Sequence, residues 1–242
     1  MQAIKTISLE KRYKQLTAVS ELDLEIAQGE LFSLLGVNGA GKTTAIKMLS
    51  CLTVPSGGDA LVGGYSIRTE SAQVKQLIGV SPQETAVAPN LTVEENLALI
   101  CGIYGFSKEK TTEKIRSLSN QFALHSVLQR KAGKLSGGWQ RRVNIAMAII
   151  SEPKILFLDE PTLGLDVIAR QELWDLVRSL KGSTTIILTT HYLEEAEALS
   201  DRIGIMKNGR LLAVGTATEL MQKTNTHNFE SAFITLVKEN HI

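Results

Sequence analysis

The amino-acid sequence predicts an α/β fold with a mainly parallel sheet and an inserted α-helical region. Short apolar runs predict the strands, which lie at residues 3–9, 22–26, 31–35, 77–80, 155–158, 185–188 and 203–206. Apolar residues at helical spacing predict helices at 42–52, 167–180 and 193–199. Because strands that alternate with helices are typical of a parallel sheet covered on both faces, we expect a core of this kind.

The middle of the chain departs from this alternation. From about residue 92 to residue 150 the apolar residues follow a helical repeat, and almost no strand pattern is present. Near the end, Phe229, Phe233 and Leu236 have helical spacing and predict a helix packed on the core. The predicted division of the chain is a core at 1–84 and 152–220, a helical insertion at 85–151 and a C-terminal helical tail at 221–242.

The composition excludes several classes of protein. Of the 242 residues, 43% are hydrophobic and 21% are charged, which suits a packed core and not a disordered chain. The 26 Lys and Arg balance 25 Asp and Glu, so the overall charge does not favour a nucleic acid as partner. Cys51 and Cys101 lack metal-ligand spacing, which fits a reducing compartment. Without a leader pattern or a span-length apolar run, the chain is expected to be neither exported nor membrane-spanning.

Charge is distributed unevenly despite this balance. Residues 107–142 carry nine Lys and Arg against two acids, whereas residues 152–201 carry ten acids against four bases. Such runs are usually solvated faces, and this is the preferred interpretation. The alternative is a basic face on the insertion that meets a membrane-side partner or lipid headgroups.

A glycine-rich segment between a predicted strand and a predicted helix carries a phosphate-binding motif. Residues 36–43 read GVNGAGKT and match GxxxxGK[ST]. Its glycines let backbone N–H groups surround a phosphate chain, Lys42 is suited to bridge the β and γ phosphates, and Thr43 is suited to bind Mg²⁺. A plain glycine turn with a surface lysine would not explain the motifs that follow. The residues predicted to bind nucleotide here are Gly36, Asn38, Gly39, Ala40, Gly41, Lys42, Thr43 and Thr44.

Two adjacent carboxylates follow the predicted strand at 155–158. Asp159 and Glu160 stand where parallel sheets bind their ligands, at the carboxyl end of a buried strand. Asp159 is suited to the Mg²⁺ shell, and Glu160 to polarising an attacking water as general base. A solvated acidic loop is the alternative for a lone Asp-Glu pair, but it does not account for the phosphate loop in the same chain.

A third motif, LSGGWQ at residues 135–140, identifies the family when it is taken with the other two. Together they resemble the motifs of ATP-binding-cassette (ABC) ATPases, and the resemblance covers nearly the whole chain. Physically, Ser136, Gly137 and Gly138 form a second anion site at the start of a predicted helix. The resemblance implies a P-loop NTPase core with an N-terminal antiparallel β subdomain and an inserted α-helical subdomain.

The resemblance assigns roles to four further residues. Tyr13 would stack on adenine, Gln83 would contact Mg²⁺ and the attacking water, and His191 would contact the γ-phosphate. Asp166 would lie across a dimer interface, in a loop that begins with Leu163 where the family usually has Ser.

The family also implies how the chain assembles around ATP. Each ATP would lie between the phosphate loop of one copy and Ser136, Gly137 and Gly138 of the other, most simply in a homodimer. Trp139 departs from the usual signature residue and is expected to pack within the insertion. His125, His227 and His241 have no site-like setting and are expected at the surface.

Three segments narrow the function within the family. LTVEENL at 91–97, HYLEEAE at 191–197 and ESAFITL at 230–236 resemble ATP-binding subunits of bacterial exporters for drugs, lipids, polysaccharides or sodium. The resemblance implies ATP and Mg²⁺ as cofactors and a separate integral membrane permease that holds the chain at the cytoplasmic face. The alternative is a soluble ABC ATPase that assembles or remodels, as in iron–sulfur assembly. A cassette acting on nucleic acid or ribosomes is less favoured, because those usually carry two cassettes or a long coiled-coil insertion.

Overall fold

The computed structural model describes residues 1–239, which form two β-sheets with helices packed around them. The strands are β1 Gln2–Tyr13, β2 Leu16–Leu22, β3 Glu25–Ala27, β4 Leu31–Leu35, β5 Gly57–Val62, β6 Tyr65–Ser66, β7 Ile78–Ser81, β8 Ile155–Asp159, β9 Thr185–Thr190, β10 Arg202–Lys207 and β11 Arg210–Gly215. The helices are α1 Lys42–Leu49, α2 Ser71–Leu77, α3 Val93–Ile103, α4 Lys108–Gln121, α5 Gly137–Ile149, α6 Val167–Leu180, α7 Leu193–Leu199, α8 Ala217–Thr224 and α9 Phe229–Glu239.

The larger sheet confirms the predicted α/β fold. Its strand order is β11-β10-β4-β9-β8-β7, and every neighbouring pair is parallel except β10 with β11. All residues of β4, β8 and β9 are buried, because helices cover both faces of the sheet. Leu35 pairs with Thr190 and Asp159 pairs with Thr189, so the three central strands end at one edge. The loops after these strands therefore meet.

The smaller sheet is the antiparallel subdomain that the resemblance implied. Its order is β2-β1-β5-β6, with β3 also paired to β1. The strand predicted at 22–26 is wrong as a single element, because β2 ends at Leu22 and β3 begins at Glu25. Between them Thr6 Oγ1 donates to Leu22 O at 2.6 Å and accepts from Leu24 N at 2.7 Å. The Thr6 side chain of β1 thus bonds the backbone on both sides of the break between β2 and β3.

The stretch between the two halves of the larger sheet is helical. It holds α3, α4, α5 and two short 3₁₀ turns, and within the described chain from 93 to 149 there is no strand. Helix α3 begins at a capping box in which Thr92 Oγ1 accepts from Glu95 N while the Glu95 carboxylate accepts from Thr92 N. Val93, Leu97 and Phe122 are fully buried in the core of this region.

The tail packs on the larger sheet through α8 and α9. Leu220, Phe229 and Leu236 are buried in one cluster with Leu35 of β4. The prediction of a packed helix there is confirmed, whereas residues 240–242, including His241, lie outside the described residues. None of the helices in residues 1–239 combines the length and apolar composition needed to cross a lipid bilayer.

Candidate functional site

A cleft of about 740 Å³ opens at the edge where β4, β8 and β9 end. Eleven of the residues predicted to act on nucleotide line it: Tyr13, Asn38, Gly39, Ala40, Gly41, Lys42, Thr43, Thr44, Gln83, Glu160 and His191. Gly36 lies in the same loop, and Asp159 touches the cleft through a hydrogen bond from Thr43. Ser136, Gly137, Gly138 and Asp166 do not line this cleft.

The loop between β4 and α1 presents backbone N–H groups to the cleft. Gly41 is the N-cap of α1, with φ of +104°, and a Cβ there would approach Ala18 O to 2.4 Å. Only glycine fits this close approach at positive φ. Since the first helical bond runs from Ala45 N to Gly41 O at 2.9 Å, the N–H groups of Lys42, Thr43 and Thr44 have no partner within the helix and can face an anion at its N-terminus.

Lys42 is held at the floor of the cleft. Its side chain is buried, and Nζ donates to Gly36 O at 2.8 Å and lies 3.4 Å from Glu160 Oε1. A buried ammonium group needs such partners to offset its loss of hydration. Polyphosphate oxygens entering the cleft would take over that role from the carbonyl and the carboxylate.

Asp159 is oriented by hydroxyl groups from two other elements. Its Oδ1 accepts from Thr43 Oγ1 at 3.1 Å and from Thr189 Oγ1 at 2.5 Å. Among residues 1–239 no group of three or more His, Cys, Asp and Glu side chains could hold a metal ion by itself. A single hydroxyl–carboxylate pair fits Mg²⁺ bound together with substrate phosphates, which is the arrangement that this ion prefers.

Glu160 stands at a strained backbone position beside His191. Its φ is +46°, which is uncommon for a residue other than glycine. The conformation is fixed because Glu160 N donates to both the carbonyl and the hydroxyl of Thr189, each at 3.1 Å. Its Oε2 lies 3.2 Å from His191 Nδ1. Such strain persists where the surroundings over-determine it, and here it directs the carboxylate into the cleft.

Tyr13 and Gln83 also line the cleft. Tyr13 ends β1 with 44% of its surface exposed, and Lys11 Nζ lies 5.0 Å from its ring centre. Gln83 is exposed and follows Pro82, whose carbonyl accepts from Arg141 Nη1 at 3.0 Å. That bond joins the Gln83 segment to α5, the helix that begins within the LSGGWQ motif.

Ser136 and the two glycines form a separate exposed surface at the start of α5. Ser136 is the N-cap of α5 but makes no side-chain capping bond, unlike Thr92, Ser107 and Thr216 on their helices. Its hydroxyl is therefore not used in capping, and it lies outside the chain's own cleft.

The loop that contains Asp166 runs next to this surface. A Cβ on Gly138 would lie 3.2 Å from Ala169 Cβ. Asp166 itself is exposed and caps α6, accepting from Ile168 N and Ala169 N at 2.9 Å each. The cap fixes the direction in which the Asp166 loop leaves the sheet.

Trp139 and Leu163, the two residues that depart from the family pattern, have different surroundings in the structure. Trp139 packs half-buried against the helical core, with the Arg142 guanidinium 5.0 Å from its ring centre, as expected from the sequence. Leu163 lines the cleft, where a Ser would have offered a hydroxyl.

Three polar residues that support the site were not singled out from the sequence. Arg141 and Asn144 of α5 bond the segment around Gln83, since Asn144 Nδ2 donates to Ser81 Oγ at 2.8 Å. Burial lowers the pKa of the Arg141 guanidinium, while the charges of Asp159 and Glu160 oppose this shift. Thr189 is the third. The sequence offers one indication of Arg141 and Asn144, because they are polar residues three positions apart within an apolar helical pattern.

Comparison with known proteins agrees with this geometry. A family model described as ABC transporter matches residues 19–163. The doxorubicin resistance ATP-binding protein DrrA of Mycobacterium tuberculosis H37Rv is 44% identical over 211 residues, which are 86% of this chain and 63% of that protein. The daunorubicin/doxorubicin resistance ATP-binding protein DrrA of Streptomyces peucetius is 42% identical over 220 residues, 90% of this chain and 67% of that protein.

A solved structure extends the comparison to three dimensions. The dimeric structure of the ATP-binding cassette MJ0796, in a post-hydrolysis state bound to ADP and Pi, superposes with a TM-score of 0.80 at 26% identity. The match covers 88% of this chain and 98% of that one. By contrast, the chain spans 63% of the length of the Mycobacterium relative.

Proposed function

Because the chain belongs to the ABC transporter family of ATP-binding proteins, we propose that it binds and hydrolyses ATP as the ATPase subunit of an exporter. The observation that carries the proposal is the meeting of three contacts in one cleft. These are Lys42 beside the phosphate loop, Thr43 bonded to Asp159, and Glu160 beside His191. Together these contacts bring the segments that follow β4, β8 and β9 into one cleft.

In the proposed reaction, each group of residues in the cleft has a separate role in phosphoryl transfer. The loop amides and Lys42 bind the β and γ phosphates. Thr43 and Asp159, with Gln83 at the open side, would hold Mg²⁺, which supplies charge neutralisation at the phosphate oxygens when it is bound. Glu160 accepts the proton of the attacking water, and the adjacent His191 contacts the γ-phosphate.

We further infer a dimer around two ATP molecules. The Ser136 surface lies outside the chain's own cleft, and its unused N-cap hydroxyl fits the γ-phosphate of ATP bound to a second copy. Val167 and Ile168, beside Asp166, are 79% and 73% exposed, which suits burial against that copy. ATP would then complete the interface, and loss of the γ-phosphate contacts would open it.

The names of the relatives favour a role in transport over a role in assembly or remodelling. Both DrrA proteins are named for drug resistance, so an exporter that moves drugs or similar amphipathic compounds is the proposed setting. The partner would be an integral membrane permease, with this chain peripheral at the cytoplasmic face.

A groove of about 330 Å³ between the larger sheet and the helical segment is the proposed docking surface for the permease. Leu52, Ile103 and Tyr104 line it with 65%, 71% and 45% of their surfaces exposed. In the proposed division of the chain, it lies where the insertion at 85–151 meets the core. A cytoplasmic helix of the permease with an apolar face would cover these side chains.

Replacement of Ile103 by Asp is expected to disrupt docking. A charge at the centre of an apolar interface typically costs 2 kcal/mol or more, so co-purification of the permease should fall by about tenfold or more. Ile234→Asp is the matched control, since Ile234 is 42% exposed on α9 in the tail and is expected to leave co-purification unchanged. Equal recovery of the permease with both variants would refute docking at this groove.

The proposed function is tested with purified protein, ATP and Mg²⁺. Phosphate release and the population of dimer are measured together, with and without the membrane protein encoded beside the gene. Phosphate release that depends on both ATP and Mg²⁺ is expected. If no release and no pairing occur under either condition, the chain is not an ATPase of this type.

A further inference from the structure

A fully buried carboxyl group lies behind the cleft, on α7. Glu195 Oε1 accepts from Thr162 Oγ1 at 2.8 Å and from Trp174 Nε1 at 3.0 Å. Its Oε2 is buried and meets no donor at good hydrogen-bond geometry. Burial raises the pKa of the Glu195 carboxyl, and the side chains of Thr190, Thr162 and Trp174, which lower this pKa, oppose the shift only in part. Burial of a carboxyl group with an unsatisfied oxygen costs free energy, so we expect this group to have a role that offsets the cost.

The two ends of the Thr162–Glu195 bond belong to the segments that carry the reacting side chains. Thr162 follows Glu160 by two residues in the loop after β8, and Glu195 follows His191 by four. The direct contact between Glu160 and His191 is 3.2 Å long and lies in the cleft. The Thr162–Glu195 bond joins the same two segments, but it is fully buried and lines no part of the cleft.

Arg170 supplies positive charge beside the buried carboxyl. Its guanidinium lies 4.6 Å from the centre of the Tyr192 ring, and its charge lowers the pKa of Glu195 against the effect of burial. Arg170 Nε is also buried and unpartnered. Arg170 and Trp174 both lie on α6, the helix that begins at the Asp166 cap. Glu195 is therefore connected to three segments: the loop after β8, the start of α6, and the turn after β9.

We propose that Glu195 is a positioning residue for the ATPase reaction, holding the Glu160 loop and the His191 turn at a fixed separation when ATP is bound. The inference rests on the proposed function. In that function His191 contacts the γ-phosphate and Glu160 contacts the attacking water, so their direct contact lies where nucleotide binds and competes with contacts to it. The buried bond to Thr162 is not reached by nucleotide and keeps the two segments in place.

Three single variants, one double variant and a control test this role through their separate effects on kcat and on KM for ATP. Glu195→Leu removes the acceptor, Glu195→Gln keeps an oxygen acceptor of the same shape, and Thr162→Val removes the donor without changing its size. Glu197→Gln is the matched control, since that carboxylate lies on the same helix but is exposed. All are assayed for ATP turnover in the complex of the full chain with its membrane partner.

Glu195→Leu and Thr162→Val should each lower kcat by about tenfold, the loss of roughly one buried hydrogen bond from the transition state, with KM for ATP nearly unchanged. Glu195→Gln should recover most of kcat, and the Leu–Val double variant should be no worse than Glu195→Leu alone.

A normal kcat in Thr162→Val would overturn the assignment even if Glu195→Leu failed to fold. Equal losses in Glu195→Gln and Glu195→Leu, or a change in KM alone, would also overturn it. ATP turnover by the wild type and by Glu197→Gln shows separately whether the proposed function holds.

Discussion

Replacement of Glu160 by Gln is expected to leave ATP binding intact while phosphate release falls by about 100-fold or more, since general-base catalysis typically contributes that much. The amide keeps an oxygen for the contact with Lys42, which is 3.4 Å from Oε1 in the wild type. It cannot accept the proton of the attacking water. Because dimer opening follows hydrolysis in the proposed cycle, the variant should accumulate as an ATP-bound dimer.

Phosphate release and oligomeric size are to be measured on the same samples of this variant. Glu84→Gln is a suitable control, because Glu84 is an exposed carboxylate one residue from Gln83 that does not line the cleft. It should retain wild-type turnover. Wild-type turnover in Glu160→Gln would remove Glu160 from the proposed mechanism, and slow turnover without dimer accumulation would separate hydrolysis from opening.

The centre of the fold was predictable because its strands are short apolar runs. β4 and the helices α6 and α7 begin and end where the sequence predicts, and β8 is predicted to within one residue. Full burial on both faces demands an unbroken apolar run, and a polar residue directly after it marks the sheet edge. Asp159 was found by that rule, the phosphate loop by its glycine-rich motif, and His191 through the family resemblance.

Elements at the periphery were missed for the opposite reason. α2 buries only Val74, so it leaves almost no helical repeat to detect. β5 begins with two glycines and buries only Ala60 and Val62, so it shows little apolar pattern. The helix predicted at 42–52 ends at Leu49, because Cys51 adopts a φ of +57° that a helix cannot continue through. Tertiary contacts decide such positions.

The buried hydrogen bonds of Glu195 with Thr162 and Trp174 could not be predicted from local patterns. Thr162 and Glu195 are 33 residues apart and lie on different elements, so no spacing rule joins them. Glu195 reads as one of several acids on the polar side of a short helix, yet it is fully buried. Only the packing of α7 against α6 brings its carboxyl to Trp174.

Replacement of Ser136 by Arg is expected to abolish phosphate release while ATP binding to the monomer stays nearly unchanged. Ser136 is exposed, does not line its own cleft and makes no capping bond, so a larger side chain is tolerated within the chain. In the dimer, Arg would obstruct the γ-phosphate of ATP held by the partner. Loss of a preformed donor at a reacting centre typically costs about 100-fold or more in turnover. A matching loss of monomer binding would place Ser136 in its own cleft instead.

Mixing Ser136→Arg with Glu160→Gln separates action within one chain from action on the partner. A mixed dimer contains one site with an intact Glu160 from the first variant and an intact Ser136 from the second. If Ser136 acts on the partner's ATP, that site is complete, and two nearly inactive proteins should recover phosphate release when mixed before ATP is added. If Ser136 acts on its own ATP, every site in the mixture lacks one of the two groups, and the mixture should stay as inactive as its components.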